Sequence, residues 1–160
     1  MQRVPQLFHS QQSSDASTEA KNAWPSHNNI DAQTLEPADH FITKNGMTYA
    51  GTHIIIDLWG ASRLDELELM EDTLIEAVKQ VQATLLHIHL HHFQPNGGIS
   101  GVAVLAESHI SVHTWPERGY AAFDVFTCGD SMPEKAVDVL KAAFNPDEVI
   151  VSSHLRGRIA

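Results

Sequence analysis

One cysteine, Cys128, is all the thiol chemistry in this chain of 160 residues. A lone cysteine excludes an intramolecular disulfide framework and a multi-cysteine zinc site. It fits a reducing cytosol, where such a residue is either buried and inert or chemically active. Basic residues are also scarce, ten Lys and Arg against twenty Asp and Glu, for a formal net charge of -10. A nucleic-acid binder shows the opposite balance or a clear basic stripe, and neither is present. No apolar run approaches the ~20 residues a membrane-spanning helix needs. The length suits one domain with a tail and is too short for two full domains. What the chain has in plenty is histidine, eleven residues of it. Imidazole titrates near neutrality and ligates metals, so the placement of these side chains matters.

Residues 1–40 differ from the rest. They are rich in Gln, Ser, Asn and Asp, as in Gln11-Gln12-Ser13-Ser14-Asp15, and their apolar residues have no period. Such a segment buries too little surface to offset its ordering entropy, so a disordered polar extension is expected. It has no apolar core like that of a signal peptide, and its acidic residues argue against a transit peptide. Residues 41–160 are expected to form the single domain.

Within that domain Asn45-Gly46 marks a small hairpin, and the β-branched run 52–58 (THIIIDL) reads as a strand. Ser62 is placed to cap a helix over 63–81, with Leu67, Leu74, Ile75 and Val78 on its apolar face. A strand over 83–93, a turn-forming loop over 94–99 (QPNGGI) and short strands over 101–106, 110–115 and 121–127 follow. Ser131 and Glu134 fit a capping box, with Pro133 in the first turn of a second helix that ends at Asn145-Pro146. Residues 148–153 form a last strand. Strands grouped between two helices predict an α+β fold, a two-layer sandwich with a largely antiparallel sheet and helices on one face. The other face is left open for a partner.

The block 100–130 concentrates reactive side chains: Ser100, Ser108, His109, Ser111, His113, Glu117 and Cys128. A serine hydrolase is disfavoured, because Ala106-Glu107-Ser108-His109-Ile110 is not a Gly-x-Ser-x-Gly elbow. A metal centre on the strand bearing His87, His89, His91 and His92 lacks a completing carboxylate or cysteine pattern. Alternation puts His87, His89 and His91 on one face, and a polar sheet face or subunit interface is the plainer reading. No metal is expected. Cys128 alone is more often a small buried hydrophobe than a catalyst. A hairpin of 110–115 with 121–127 would bring it near the start of the strand that carries His113.

Read as one string, Ala106-Glu107-Ser108-His109-Ile110-Ser111-Val112-His113-Thr114-Trp115-Pro116-Glu117 resembles the prokaryotic S-adenosylmethionine decarboxylases, pyruvoyl enzymes of polyamine synthesis. Phe126-Thr127-Cys128-Gly129-Asp130, Ser100-Gly101-Val102 and Gly51-Thr52-His53 carry the likeness further, over roughly 50–153. The loop 93–100 is one residue longer than the commonest pattern of that family.

The resemblance implies that Ser108 Oγ attacks the Glu107 carbonyl, that the chain is cut between Glu107 and Ser108, and that Ser108 becomes a pyruvoyl group. That ketone condenses with the substrate amine as a Schiff base and needs no added cofactor. His113 is implied as the processing base, Ser100 as an aid to the ester step and Cys128 as the proton donor in turnover. A neutral imidazole and a thiol are suited to those tasks. The implied substrate is S-adenosylmethionine, with Glu117, Trp115 and Phe93 lining its site and an aromatic facing the adenine or the sulfonium. The product donates aminopropyl groups for spermidine. A cytoplasmic homodimer of processed protomers, two of each fragment, is expected, with no nucleic acid or membrane as partner. Two alternatives stay open at this level. The same chemistry could act on ornithine or arginine, or the chain could be an unprocessed regulatory paralogue.

Overall fold

The computed structural model describes residues 41–159; the expected polar extension over 1–40 lies outside the described residues. Ile42–Lys44 (β1) and Met47–Tyr49 (β2) form a two-stranded hairpin about Asn45-Gly46. Six further strands make one sheet: Gly51–Trp59 (β3), Leu85–His92 (β4), Ile99–Leu105 (β5), Ser108–Trp115 (β6), Tyr120–Cys128 (β7) and Glu148–Arg156 (β8). Their order across the sheet is β4-β5-β6-β7-β3-β8, and every neighbouring pair is antiparallel. Two helices, Leu67–Gln80 (α1) and Lys135–Phe144 (α2), complete an α+β sandwich. No helix among the described residues is long and apolar enough to cross a membrane.

Strand alternation divides the sheet into two unlike faces. Ile54, Ile56 and Leu58 of β3, Ile110 and Val112 of β6, and Phe123 and Val125 of β7 point to one side. There they meet Met70, Leu74 and Val78 of α1 and Leu140 and Phe144 of α2. Both helices therefore lie on that face. The Phe123 and Phe144 rings, both buried, sit 6.0 Å apart at the centre of this layer. Removing a ring from such a site loses its transfer energy and leaves a cavity. Phe123→Ala is expected to destabilise the fold by about 3–5 kcal/mol, read as a lower urea midpoint at unchanged slope.

Both helices start later than expected. Arg63 takes a left-handed φ of 61° and its guanidinium clamps Glu66 at 2.7 and 2.9 Å, so the chain must turn before α1 can form. Ser62 is no cap: its amide and hydroxyl both donate to the Phe144 carbonyl, tying this segment to the end of α2. The capping box of Ser131 and Glu134 is likewise absent. Glu134 occupies the N-cap of α2 in a helical conformation with no side-chain cap. Tight backbone bonds from Lys135 to Met132 and from Ala136 to Pro133 lead into the helix instead. Asn145, at a left-handed φ of 43°, ends α2 as expected. β8 runs long, reaching Arg156 rather than residue 153, while β4 is shorter than expected, Leu85–His92 rather than 83–93.

Candidate active site

The reactive block folds into three adjacent strands, β5, β6 and β7. Register then decides which of its side chains meet. Leu105 pairs with Ser108 across a two-residue turn, and Ser100 pairs with His113 at the far end of the same two strands. At the turn, Glu107 has a left-handed φ of 61°, a conformation that costs a non-glycine residue about 1 kcal/mol or more. The Cys128 backbone N–H donates to Ser108 Oγ at 3.2 Å. The Cys128 thiol donates to the Glu107 carbonyl oxygen at 3.3 Å. One residue of β7 thus holds both partners of the peptide bond between Glu107 and Ser108. Burial pushes the Cys128 thiol above its ordinary pKa, the nearby Glu107 charge adds to this, and the Ser108 hydrogen bond opposes it. The thiol is therefore protonated at neutral pH, a donor rather than a thiolate.

Beside this turn the open face carries a polar chain that crosses four strands. Arg156 Nη1 lies 3.0 Å from His53 Nδ1, His53 Nε2 lies 3.2 Å from Asp124 Oδ1, and Ser111 donates to Asp124 Oδ2 at 3.2 Å. Arginine can only donate, so it fixes His53 as the tautomer with hydrogen on Nε2. His53, Phe126 and His109 form one cross-strand row, with ring centroids about 6 Å apart. Burial holds His109 below the ordinary histidine pKa; the neighbouring His53 ring works in the same direction and the Asp124 carboxylate opposes it. His109 is thus the neutral imidazole nearest in sequence to Ser108.

The other end of β6 opens into a cleft of about 340 Å³. Phe93, Ser100, His113, Trp115 and Glu117 line it, with the loop Gln94, Pro95, Asn96 and Gly98 forming one wall. Ser100 Oγ lies 2.8 Å from His113 Nδ1, so hydroxyl and imidazole act as a pair. Thr114 pins the cleft from behind. Its hydroxyl donates to the Leu64 carbonyl and accepts from the Ile99 N–H. A single 3-10 turn, Pro116–Arg118, closed by Gly119 at a φ of 57°, presents Glu117. The extra loop residue does not remove Phe93, which faces the cleft and packs edge-on against His91 at 4.4 Å.

The candidate residues therefore fall into two groups. Glu107, Ser108 and Cys128 meet at one end of β6, and Ser100, His113, Trp115, Glu117 and Phe93 meet at the other. Ser108 and His113 are five residues apart on one extended strand, a span of about 16 Å. Within one chain, Ser100 does not reach the Glu107 carbonyl and His113 does not stand beside Cys128, because the register sends both toward the opposite end. His87, His89 and His91 do share the exposed side of β4. Among the described residues no group of three His, Cys, Asp or Glu converges as a metal site would require. Sequence reasoning missed the chain from Arg156 to Ser111 and the bond from Tyr120 to Asp57. Alternation on β3 and β7 was the available signal, and it needed the register to be useful.

Residues 52–157 match the family described as S-adenosylmethionine decarboxylase. The chain is 45% identical over 114 residues to the S-adenosylmethionine decarboxylase proenzyme of Thermomicrobium roseum, covering 71% of this chain and 98% of that one. It is 49% identical over 114 residues to the proenzyme of Methanococcus vannielii, covering 69% and 93%. The crystal structure of the adenosylmethionine decarboxylase from Aquifex aeolicus superposes with a TM-score of 0.63 at 40% identity, covering 70% of this chain and 94% of that one. Matched over nearly the whole of these relatives and over the full sheet, the chain belongs to the S-adenosylmethionine decarboxylase family.

Proposed function

We propose that this chain is the proenzyme of a pyruvoyl-dependent decarboxylase of S-adenosylmethionine, matured by its own cleavage between Glu107 and Ser108. The observation that carries the reading is the Cys128 clamp on that peptide bond, with the thiol on the Glu107 carbonyl and the amide on Ser108 Oγ. A donor on the carbonyl oxygen stabilises the negative charge that forms there when a nucleophile adds. An N–H on Oγ occupies one lone pair and leaves the hydroxyl proton available to a base.

The cleavage balances as follows. Ser108 Oγ bonds to the Glu107 carbonyl carbon, the C–N bond breaks and the hydroxyl proton passes to nitrogen, so amide becomes ester. Loss of the Ser108 α-proton to a base breaks the Cβ–Oγ bond and releases Glu107 as a carboxylate. Water then replaces nitrogen, which leaves as ammonia. His113 is assigned the α-proton, and Ser100, paired with it at 2.8 Å, holds the ring. The donor set around Ser108 fits a ketone, since a protonated thiol lies beside it. That ketone supplies an electron sink for the bond that breaks as carbon dioxide leaves. Cys128 then returns a proton to the substrate carbon, and the upward push on its pKa keeps it charged with that proton at neutral pH.

A second copy completes the site. One strand cannot bring its two ends together, but two sheets stacked open face to open face about a two-fold axis can. That arrangement sets the Ser100–His113 end of one copy over the Ser108–Cys128 end of the other. The open face suits such stacking, since Ile55, Val104 and Ile150 stand 38–45% exposed on it. The assembled enzyme holds two of each fragment and two sites, and substrate enters at the cleft of Phe93, Trp115 and Glu117.

Denatured mass spectrometry tests the reading. Two fragments are expected, one ending at Glu107 and one beginning at position 108 with a borohydride-reducible ketone. Carbon dioxide release from S-adenosylmethionine is expected, and none from ornithine or arginine. A whole chain, or turnover of the basic amino acids alone, would overturn the assignment. Cys128→Ala is expected to cleave, but more slowly, and to lose about 10²-fold or more in kcat for want of its proton donor. Single-turnover kinetics of the cleaved variant separate the two effects.

A further inference from the structure

Trp115 faces the cleft, yet 40% of it is exposed, and so is 41% of Trp59 at the end of β3. An exposed indole at a sheet end ordinarily samples several rotamers. Here both indoles are held. The Tyr120 ring lies stacked between them, 5.2 Å from Trp115 at 27° and 4.3 Å from Trp59 at 26°. Tyr120 pairs with Trp115 across the β6–β7 ladder, so the backbone sets the contact. What stops the central ring from turning is its hydroxyl, which donates to Asp57 Oδ1 at 2.6 Å. Neither Asp57 nor Tyr120 lines the cleft. They stand behind it: Tyr120 stacks on Trp115, which does line it, and Asp57 holds Tyr120.

We propose that Asp57 and Tyr120 are positioning residues for substrate: their hydrogen bond locks the three-ring stack and so presents Trp115 to the flat heteroaromatic part of the substrate. The inference rests on the assignment of the Trp115 cleft to S-adenosylmethionine. Its physical content is preorganisation. A wall already fixed in its bound rotamer loses little freedom when a planar group stacks on it, so the benefit falls on binding rather than on bond breaking. The Asp57 bond, aided by burial and the carboxylate charge, pushes the Tyr120 pKa up to about 12. The hydroxyl stays a donor at every pH an assay would use.

The test uses the full-length chain, purified after self-cleavage. Tyr120→Phe keeps the ring and loses the bond. It is expected to cleave fully, to raise KM for S-adenosylmethionine about fivefold and to leave kcat within about twofold, the size of one ordinary hydrogen bond. Asp57→Ala should behave alike, and Asp57→Asn, which keeps an acceptor oxygen, should restore the KM. In a Trp115→Ala chain, Tyr120→Phe should add nothing further, because the ring it positions is gone. If Trp115→Ala raises KM while Tyr120→Phe and Asp57→Ala do not, the positioning role is wrong and the cleft assignment stands. If Trp115→Ala leaves KM unchanged, the cleft assignment itself falls. Loss of cleavage or of kcat in Tyr120→Phe would also overturn the inference, since it would place the pair in the chemistry or the fold.

Discussion

A Ser108→Ala chain is expected to stay in one piece and to decarboxylate nothing above background. In the proposed maturation every later event needs the Ser108 oxygen: it attacks the Glu107 carbonyl, carries the ester and leaves with the new carboxylate. Without it no ketone forms, so the loss is that of an obligatory nucleophile, about 10⁴-fold or more in rate. The fold should survive, because Ser108 Oγ accepts one hydrogen bond at the rim of the sheet and fills no part of the core. Ser111→Ala is the control. It lies on the same strand as Ser108, but its hydroxyl serves Asp124 of β7, and that chain should cleave as the parent does. Intact mass and carbon dioxide release on the same samples read both effects. Cleavage of the Ser108→Ala chain at the parental bond would remove the nucleophile assignment.

Two inactive chains, mixed, are expected to recover what neither has. His113→Ala alone should stay uncleaved, because its Ser108 meets no base, and Ser108→Ala alone has no nucleophile. The two lesions lie at opposite ends of β6, about 16 Å apart. A mixed dimer then contains one doubly damaged site and one intact site. The intact one combines Ser108 of the His113→Ala chain with His113 of the Ser108→Ala chain. Co-expression is expected to cleave the His113→Ala chain and leave the Ser108→Ala chain whole. Random pairing puts half of the dimers in mixed form, so up to about a quarter of parental activity returns. Tagging the two chains differently shows which one was cut. Cleavage of His113→Ala by itself, or none in the mixture, would refute the shared site.

Much of this fold was legible because alternation is a strong signal. The run THIIIDL gave β3, and the sequence from Ser100 to Cys128 gave three strands within two or three residues of their ends. Helix starts were less legible, because tertiary contacts decided them. Ser62 was drawn to the end of α2 instead of capping α1, and Pro133 and Glu134 were spent in tight turns before α2. The site residues were named by motif, but motif carries no distance. Ser108 and His113 look adjacent in a sequence string and are far apart on a strand. Only the register sorts Ser100, His113 and Trp115 from Glu107, Ser108 and Cys128. The pairing of Asp57 with Tyr120 spans 63 residues and has no local signature at all.

The placement of two half-sites at the ends of one rigid strand has a consequence for supply. A chain that needs its twin in order to mature ripens at a rate set by encounters. At low abundance, formation of the first active enzyme scales with the square of chain number, and above the dimer dissociation constant it scales linearly. On the proposed shared site, activity would therefore rise steeply with expression at low abundance, which a self-contained maturation would not do. On the same proposal the pair, once cut, would be spent as a switch, since the severed peptide does not rejoin. Synthesis and degradation, rather than reversal, then set how much enzyme is present.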